Sequence, residues 1–391
     1  MTRDTATNVQ PFTIAVADDV LDDLHERLRR TRFPGEVVGS GWTYGTNLAY
    51  LKSLVEYWLK GYDWRAAERQ LNALPQFTAP VEGLRIHFVH VRGKGPQPLP
   101  LLISHGWPGS FVEMTEIIGP LTDPAAHGGD PADAFDVVVP SLPGYGFSEQ
   151  PTAPGMTPRR IGAIFARLMR ETLGYERYGV QGGDWGAVIT ATMAYDYPQE
   201  VVGLHLNMLG VRPYTGPGTP PLTDEEKAFL EEARRWRDEE AGYQAIQGTR
   251  PQTLAYALTD SPAGLAAWIV EKFRAWSDCD GDVEKRFSKD RLLTNIMIYW
   301  VSGCIGSSMR LYYENRHQPW LLGPGERITV PTAYAAFPKE LTRPPRSWVE
   351  RAVNLQRYTP MPRGGHFAAM EEPALLVEDI RAFFRPLRAA L

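Results

Sequence analysis

The sequence predicts an α/β fold: an open, mainly parallel sheet, preceded by a helical region and interrupted by a helical cap. Three observations carry that prediction. From residue 99 onward short apolar runs alternate with helical patterns. One junction, YGVQGGDWGAVIT at 178–190, has the strand, sharp glycine turn and helix that lift a reactive side chain to the tip of a turn. The alternation then stops at Arg212 and resumes only near residue 327.

The N-terminal part reads as helical. Val20, Leu21, Leu24 and Leu28 share one face of a helix over 17–31, with Asp18, Asp19, Asp22 and Asp23 at its positive end. Leu51, Leu54, Val55 and Trp58 mark a second helix over 48–59, and Asp63 is placed to cap a third. FTAPVEGLRIHFVHVRG (77–93) then reads as a β-hairpin turning at Glu82-Gly83. Strands follow at 99–105, 135–146, the elbow and 201–209, with helices from about Gly109 and over 156–173. In such a sheet, sites form at the carboxyl ends of strands, so the chemistry belongs just after His105, Pro140 and Gln181.

After Arg212 a Pro/Gly-rich linker runs into a capping box, Thr223 three residues before Glu226. Helical segments continue to about Tyr313, and strands return over 327–337 and 353–361. The expected organisation is a helical region with the first hairpin (1–95), a core in two parts (96–212 and 326–391) and a cap (213–325) lying over the active edge.

Composition narrows the function. A chain of 391 residues, 43% apolar and 22% charged, has the balance of a globular protein with room for a core and additions. A net charge of −5 offers no basic face to nucleic acid. Cys279 and Cys304 are too few for a disulfide framework or a cysteine-ligated metal. The N-terminal stretch has no signal-like apolar core and no later run is long and uncharged enough for a bilayer, so a cytoplasmic location is expected.

Asp184 stands where the elbow puts its nucleophile. An aspartate there could simply cap the following helix, but a cap does not need glycines at 182, 183 and 186. SHGWPGS (104–110) ends the strand where this architecture builds part of an oxyanion hole, so the backbone amides of Trp107 and Trp185 are the candidate donors. Among the 8 histidines, His366 alone follows the last strand, the position of the general base. Glu340, soon after the preceding strand, is the favoured orienting acid, with Glu350 a weaker competitor.

The carboxylate indicates the electrophile. Serine attacking a saturated carbon would form an ether that water and histidine cannot cleave. Aspartate forms an alkyl ester, whose carbonyl is open to hydrolysis. The leaving group is then a halide or the oxygen of a strained ring, and no metal or cofactor is required. An epoxide oxygen needs an acid beside it. Tyrosines in the cap could serve, but with 17 in the chain, spacing alone does not select them.

HGWPGS, GGDWG, RLYYEN, FPKEL and RGGHFAAMEEP together resemble the microsomal-type epoxide hydrolases of the α/β-hydrolase fold. FTIAVADDVLDDLHERLRRTRFP, WTYGTNLAYLKSLVEYW and YDWRAAERQLNALPQF resemble that family's N-terminal domain, so the likeness runs from about Pro11 to Phe384. The resemblance implies that Asp184 is the nucleophile, His366 the base and Glu340 its acid. It implies that Tyr243 and Tyr312 protonate the epoxide, with the adjacent Tyr313 the alternative to Tyr312. The expected partners are a small epoxide that binds against Trp107 and Trp185, water, and at most a second copy of the chain in a homodimer. Mammalian members carry an N-terminal membrane anchor; this chain starts almost directly with the soluble part, so a membrane is not expected as a partner. Bacterial members act in detoxification or in natural-product biosynthesis, including that of enediyne antibiotics, and the Ala, Arg, Gly and Pro bias suits such a source. The rival readings are a haloalkane dehalogenase using the same aspartate and a ligand-binding receptor on a retired hydrolase.

Overall fold

The computed structural model describes residues 8–390; the first seven residues, part of the stretch read as carrying no signal segment, lie outside them. The strands are β1 (Gln10–Pro11), β2 (Gln76–Val81), β3 (Leu84–Val91), β4 (Leu99–Ser104), β5 (Phe135–Pro140), β6 (Tyr178–Gly182), β7 (Val201–Leu206), β8 (Ile328–Ala336) and β9 (Val353–Pro360). They form one sheet in the order β1-β2-β3-β5-β4-β6-β7-β8-β9. Pairing is antiparallel from β1 to β5 and parallel from β5 through β4 to β9. Every residue of β5, β6 and β7 is buried, as expected where helices cover both faces of parallel strands. The chain passes from β4 to β5 on one side and then crosses back over β4 to β6 on the other. A crevice therefore opens above the carboxyl ends of β4 and β6.

The helical beginning comprises α1 (Asp18–Arg29), α2 (Leu48–Lys60) and α3 (Trp64–Asn72), with Asp63 accepting from the Ala66 N–H as its cap at 3.0 Å. The core helices flanking the site are α4 (Thr115–Thr122), α5 (Pro158–Arg167) and α6 (Asp184–Asp196). Between β7 and β8 lies the cap: α7 (Asp224–Glu240), α8 (Gly242–Gln247), α9 (Pro251–Asp260), α10 (Pro262–Trp276), α11 (Lys289–Ser302) and α12 (Ile305–His317). Both bonds of the Thr223/Glu226 capping box form. Glu226 is also fully buried against Arg351, which holds the root of the cap to the core.

Local structure departs from the sequence reading in four places. The stretch after Gly109 first makes a 3-10 turn, Phe111–Met114, before α4. The strand read to residue 146 ends at Pro140, because the chain turns through Gly144 and Gly146, both at positive φ. Helix α6 starts at Asp184 itself, not at Ala187. The hairpin grouped with the N-terminal helices is part of the sheet, through β3 against β5.

The N-terminal helices do not pack on the sheet alone. Helices α1 and α2 lie on α10, and α2 and α3 on α11. Tyr57 donates to Asp290 at 2.8 Å, the Tyr62 and Thr294 hydroxyls meet at 3.0 Å, and Thr46 donates to the Ala267 carbonyl at 2.7 Å. The helical region thus straps the cap onto the core. Among the described residues no single helix is long and apolar enough to cross a membrane.

Candidate active site

Asp184 sits at the β6–α6 junction with φ of 48°, in the left-handed region where a non-glycine residue is strained. Close packing around the turn holds it there. A Cβ on Gly186 would lie 1.9 Å from the Ser104 carbonyl oxygen, so only glycine lets α6 approach β4 this closely. The Trp107 backbone N–H donates to Asp184 Oδ1 at 2.7 Å, which fixes one carboxylate oxygen and leaves the other for chemistry.

The other oxygen, Oδ2, lies 3.4 Å from His366 Nε2, and His366 Nδ1 lies 2.6 Å from Glu340 Oε1. Those two loops are held side by side: Lys339 and Gly365 form a parallel bridge, and the Lys339 N–H donates to the Gly364 carbonyl at 3.1 Å. The Leu341 N–H donates to Glu340 Oε1 at 2.6 Å and orients the acid. Glu350 lies on an exposed helix face, paired with Arg346 at 2.7 Å, and takes no part. Burial works against a charge on His366, but Glu340 and Asp184 outweigh it and hold its pKa well above the usual histidine range.

The cap closes the site with aromatic rings. The Tyr243 ring stacks on Trp107 at 5.2 Å, and Tyr312 stands edge-on to Trp185 at 4.7 Å and to Tyr243 at 5.8 Å. Both tyrosines are buried, and burial, reinforced by the charge on Asp184, pushes both phenols upward. They therefore stay protonated. Gln244 donates to the Tyr243 hydroxyl at 2.9 Å, which leaves the phenol's own proton to be given away. Tyr313 is 39% exposed and stacks on His317, so the inward residue of the pair is Tyr312.

Three contributors escaped the sequence reading. Trp276, the last residue of α10, accepts the His366 N–H at 2.9 Å and sets its ring edge-on to the imidazole. Lys272 places its ammonium 5.0 Å above the Tyr243 ring. Glu113 lies buried beside Asp184 and His366. Only Glu113 had a local signal, an acid shortly after HGWPG. His105, by contrast, is structural: its Nε2 accepts the Leu142 N–H at 3.3 Å and burial pushes its pKa down to about 4. The assembled group can do two things: deliver a carboxylate to a saturated carbon while phenols donate to the leaving oxygen, then bring water onto the ester.

Known proteins share this architecture. Residues 9–114 match the family model for the epoxide hydrolase N terminus, and residues 100–242 match the alpha/beta hydrolase fold. A Stigmatella aurantiaca relative is 46% identical over 97% of this chain and 86% of its own length. Epoxide hydrolase 1 of Oryctolagus cuniculus is 42% identical, over 96% of this chain and 88% of its own length. The crystal structure of juvenile hormone epoxide hydrolase from the silkworm Bombyx mori superposes with a TM-score of 0.86 at 33% identity, covering 98% of this chain and 96% of that one. The Aspergillus niger epoxide hydrolase structure gives a TM-score of 0.84 at 31% identity, covering 97% and 96%. An aspartate elbow beneath a tyrosine-bearing cap, strapped by the matching N-terminal region, thus has relatives along nearly its whole length, and the chain belongs to the epoxide hydrolase family.

Proposed function

We propose that the enzyme opens an epoxide to a vicinal diol through an ester on Asp184. The observation that carries this reading is the pairing of Asp184, beside His366 and Glu340, with two buried protonated phenols above it. Oδ2 of Asp184 attacks an epoxide carbon, the C–O bond of the ring breaks, and Tyr243 or Tyr312 gives its proton to the departing oxygen. The product of this step is a hydroxyalkyl ester and a tyrosinate.

Ester formation removes the charge on Asp184, one of the two carboxylates that raise the His366 pKa. The imidazole then becomes the base when it is needed. Water attacks the ester carbon and passes a proton to Nε2, while Glu340 balances the imidazolium. The amides of Trp107 and Trp185 are the proposed donors to the oxyanion. Collapse releases the diol alkoxide, which takes its proton back from His366. Asp184 is left as a carboxylic acid and loses its proton to solvent, and the tyrosinate regains one.

One observation favours a second reading, halide displacement: the buried indole N–H groups of Trp107 and Trp185 have no hydrogen-bond partner among the described residues. Intact-mass measurement of His366→Gln separates the two. Incubation with styrene oxide is expected to add the mass of the epoxide to Asp184 and to stall there. Multiple turnovers by this variant, or halide release from a bromoalkane without epoxide turnover by the native enzyme, would contradict the reading.

A further inference from the structure

A small space lies against the nucleophile. It is a cavity of about 20 Å³ whose walls include Gly106, Glu113, Gln181, Asp184, Asn207 and His366, and do not include Tyr243 or Tyr312. That is room for one water molecule and little more. Gln181 donates to Asn207 at 2.8 Å, and its own carbonyl oxygen has no partner among the described residues. Glu113 is the carboxyl in the wall on which both Asp184 and His366 act and which the proposed reaction does not use.

The fold makes specific provision for Glu113. Its carboxyl turns back from the Phe111–Met114 turn into the space beside Gly109, where a Cβ would lie 1.4 Å from Oε1. A glycine at 109 is therefore needed by the carboxyl of Glu113, not by the backbone angle. The nearby backbone amides of Gly106 and Ser110 favour the charged form of the carboxyl, and the side chain has no salt-bridge partner among the described residues. Burial pushes its pKa up to about 8, with His366 opposing and Asp184 reinforcing, so near neutral pH it is mainly a carboxylic acid with a carbonyl oxygen free to accept.

We propose that this cavity holds the hydrolytic water and that Glu113 accepts a hydrogen bond from it, aiming its lone pair at the ester carbon of Asp184. A water there gives one hydrogen to His366 Nε2 and the other to the Glu113 carbonyl oxygen. On attack the new C–O bond forms at Asp184, the transferred proton goes to His366, and Glu113 keeps its own proton throughout. Glu113 thus acts in the second half-reaction alone. The inference rests on the aspartyl-ester reading above.

The test is single-turnover kinetics with styrene oxide on the full chain, following ester formation and decay by rapid acid quench and intact mass. Glu113→Met removes the acceptor at similar volume; Glu113→Gln keeps a carbonyl oxygen. Expected for Glu113→Met is ester formation within about threefold of native and ester decay slowed about 100-fold, the scale of losing one aligned hydrogen bond to a reacting group. Glu113→Gln is expected to recover most of that loss. Native ester decay in Glu113→Met, an equal slowing of both steps, or no recovery in Glu113→Gln overturns the assignment while leaving the ester intact. Absence of any ester, even in His366→Gln, overturns the ester reading itself.

Discussion

At the scale of single residues, the proposed reaction divides the work between a carboxylate that attacks carbon and phenols that protonate the leaving oxygen. Asp184 Oδ1 is held by the Trp107 amide, so Oδ2 alone is free to attack. In the proposed reaction the phenols give protons near neutral pH, and burial keeps them protonated. This separates the kinetic effects of the substitutions. Tyr243→Phe and Tyr312→Phe should each slow ester formation, by roughly 10- to 1,000-fold, and leave ester decay unchanged; the double variant should be inactive. Stopped-flow quenching of tryptophan fluorescence reads both steps. Tyr313→Phe should behave as native, since that ring is at the surface on His317; a Tyr313→Phe variant with the ring-opening defect would reassign the donor.

At the scale of elements, the elbow depends on how closely α6 meets β4. Adding one methyl at Gly186 would drive it into a backbone carbonyl, which cannot rotate away. Gly186→Ala should therefore destabilise the fold by at least about 1–3 kcal/mol, seen as a lower melting temperature or loss of soluble protein; native melting would show that the close approach is not required. The elbow, the Glu82-Gly83 hairpin and the capping box at Thr223 were legible because each is local: glycine, turn and cap residues sit within a few positions of one another. The end of β5 was misread because the apolar run through Leu142 hides a turn set by glycines at positive φ. Trp276 and Lys272 were invisible because their contacts join α10 to the His366 loop and to α8. The strap of α1–α3 on the cap is likewise a long-range fact, carried by side chains such as Tyr57 and Tyr62 that read locally as ordinary helix and turn residues.

At the scale of the molecule, the join between the N-terminal strands and the core contains buried neutral histidines. His87 on β3 is fully buried, with Ser141 at 2.9 Å on Nδ1 and Gln76 at 3.0 Å on Nε2, and burial pushes its pKa down to about 3. His105, the other titratable group acting on it, pushes it the same way. A folded pKa below the unfolded value near 6.5 means that only the unfolded chain takes up this proton between about pH 6.5 and 3. The stability that His87 contributes is present above pH 6.5 and is lost as pH falls toward 3. His366 has the opposite sign, its contribution being lost as pH rises through its raised value. Comparing native and His87→Gln melting temperatures from pH 7 to pH 4 isolates the first effect: the native advantage should shrink steadily on acidification. A difference that stayed constant with pH would rule out the buried neutral histidine as its cause.

Isotope tracing distinguishes a covalent ester on Asp184 from direct attack of water on the epoxide. A single turnover, with enzyme in excess over styrene oxide in water enriched in oxygen-18, should give a diol free of label while the heavy oxygen enters Asp184. Later turnovers should then carry label into the diol. Heavy oxygen in the first diol would show that water attacks the epoxide directly and that no ester forms on Asp184.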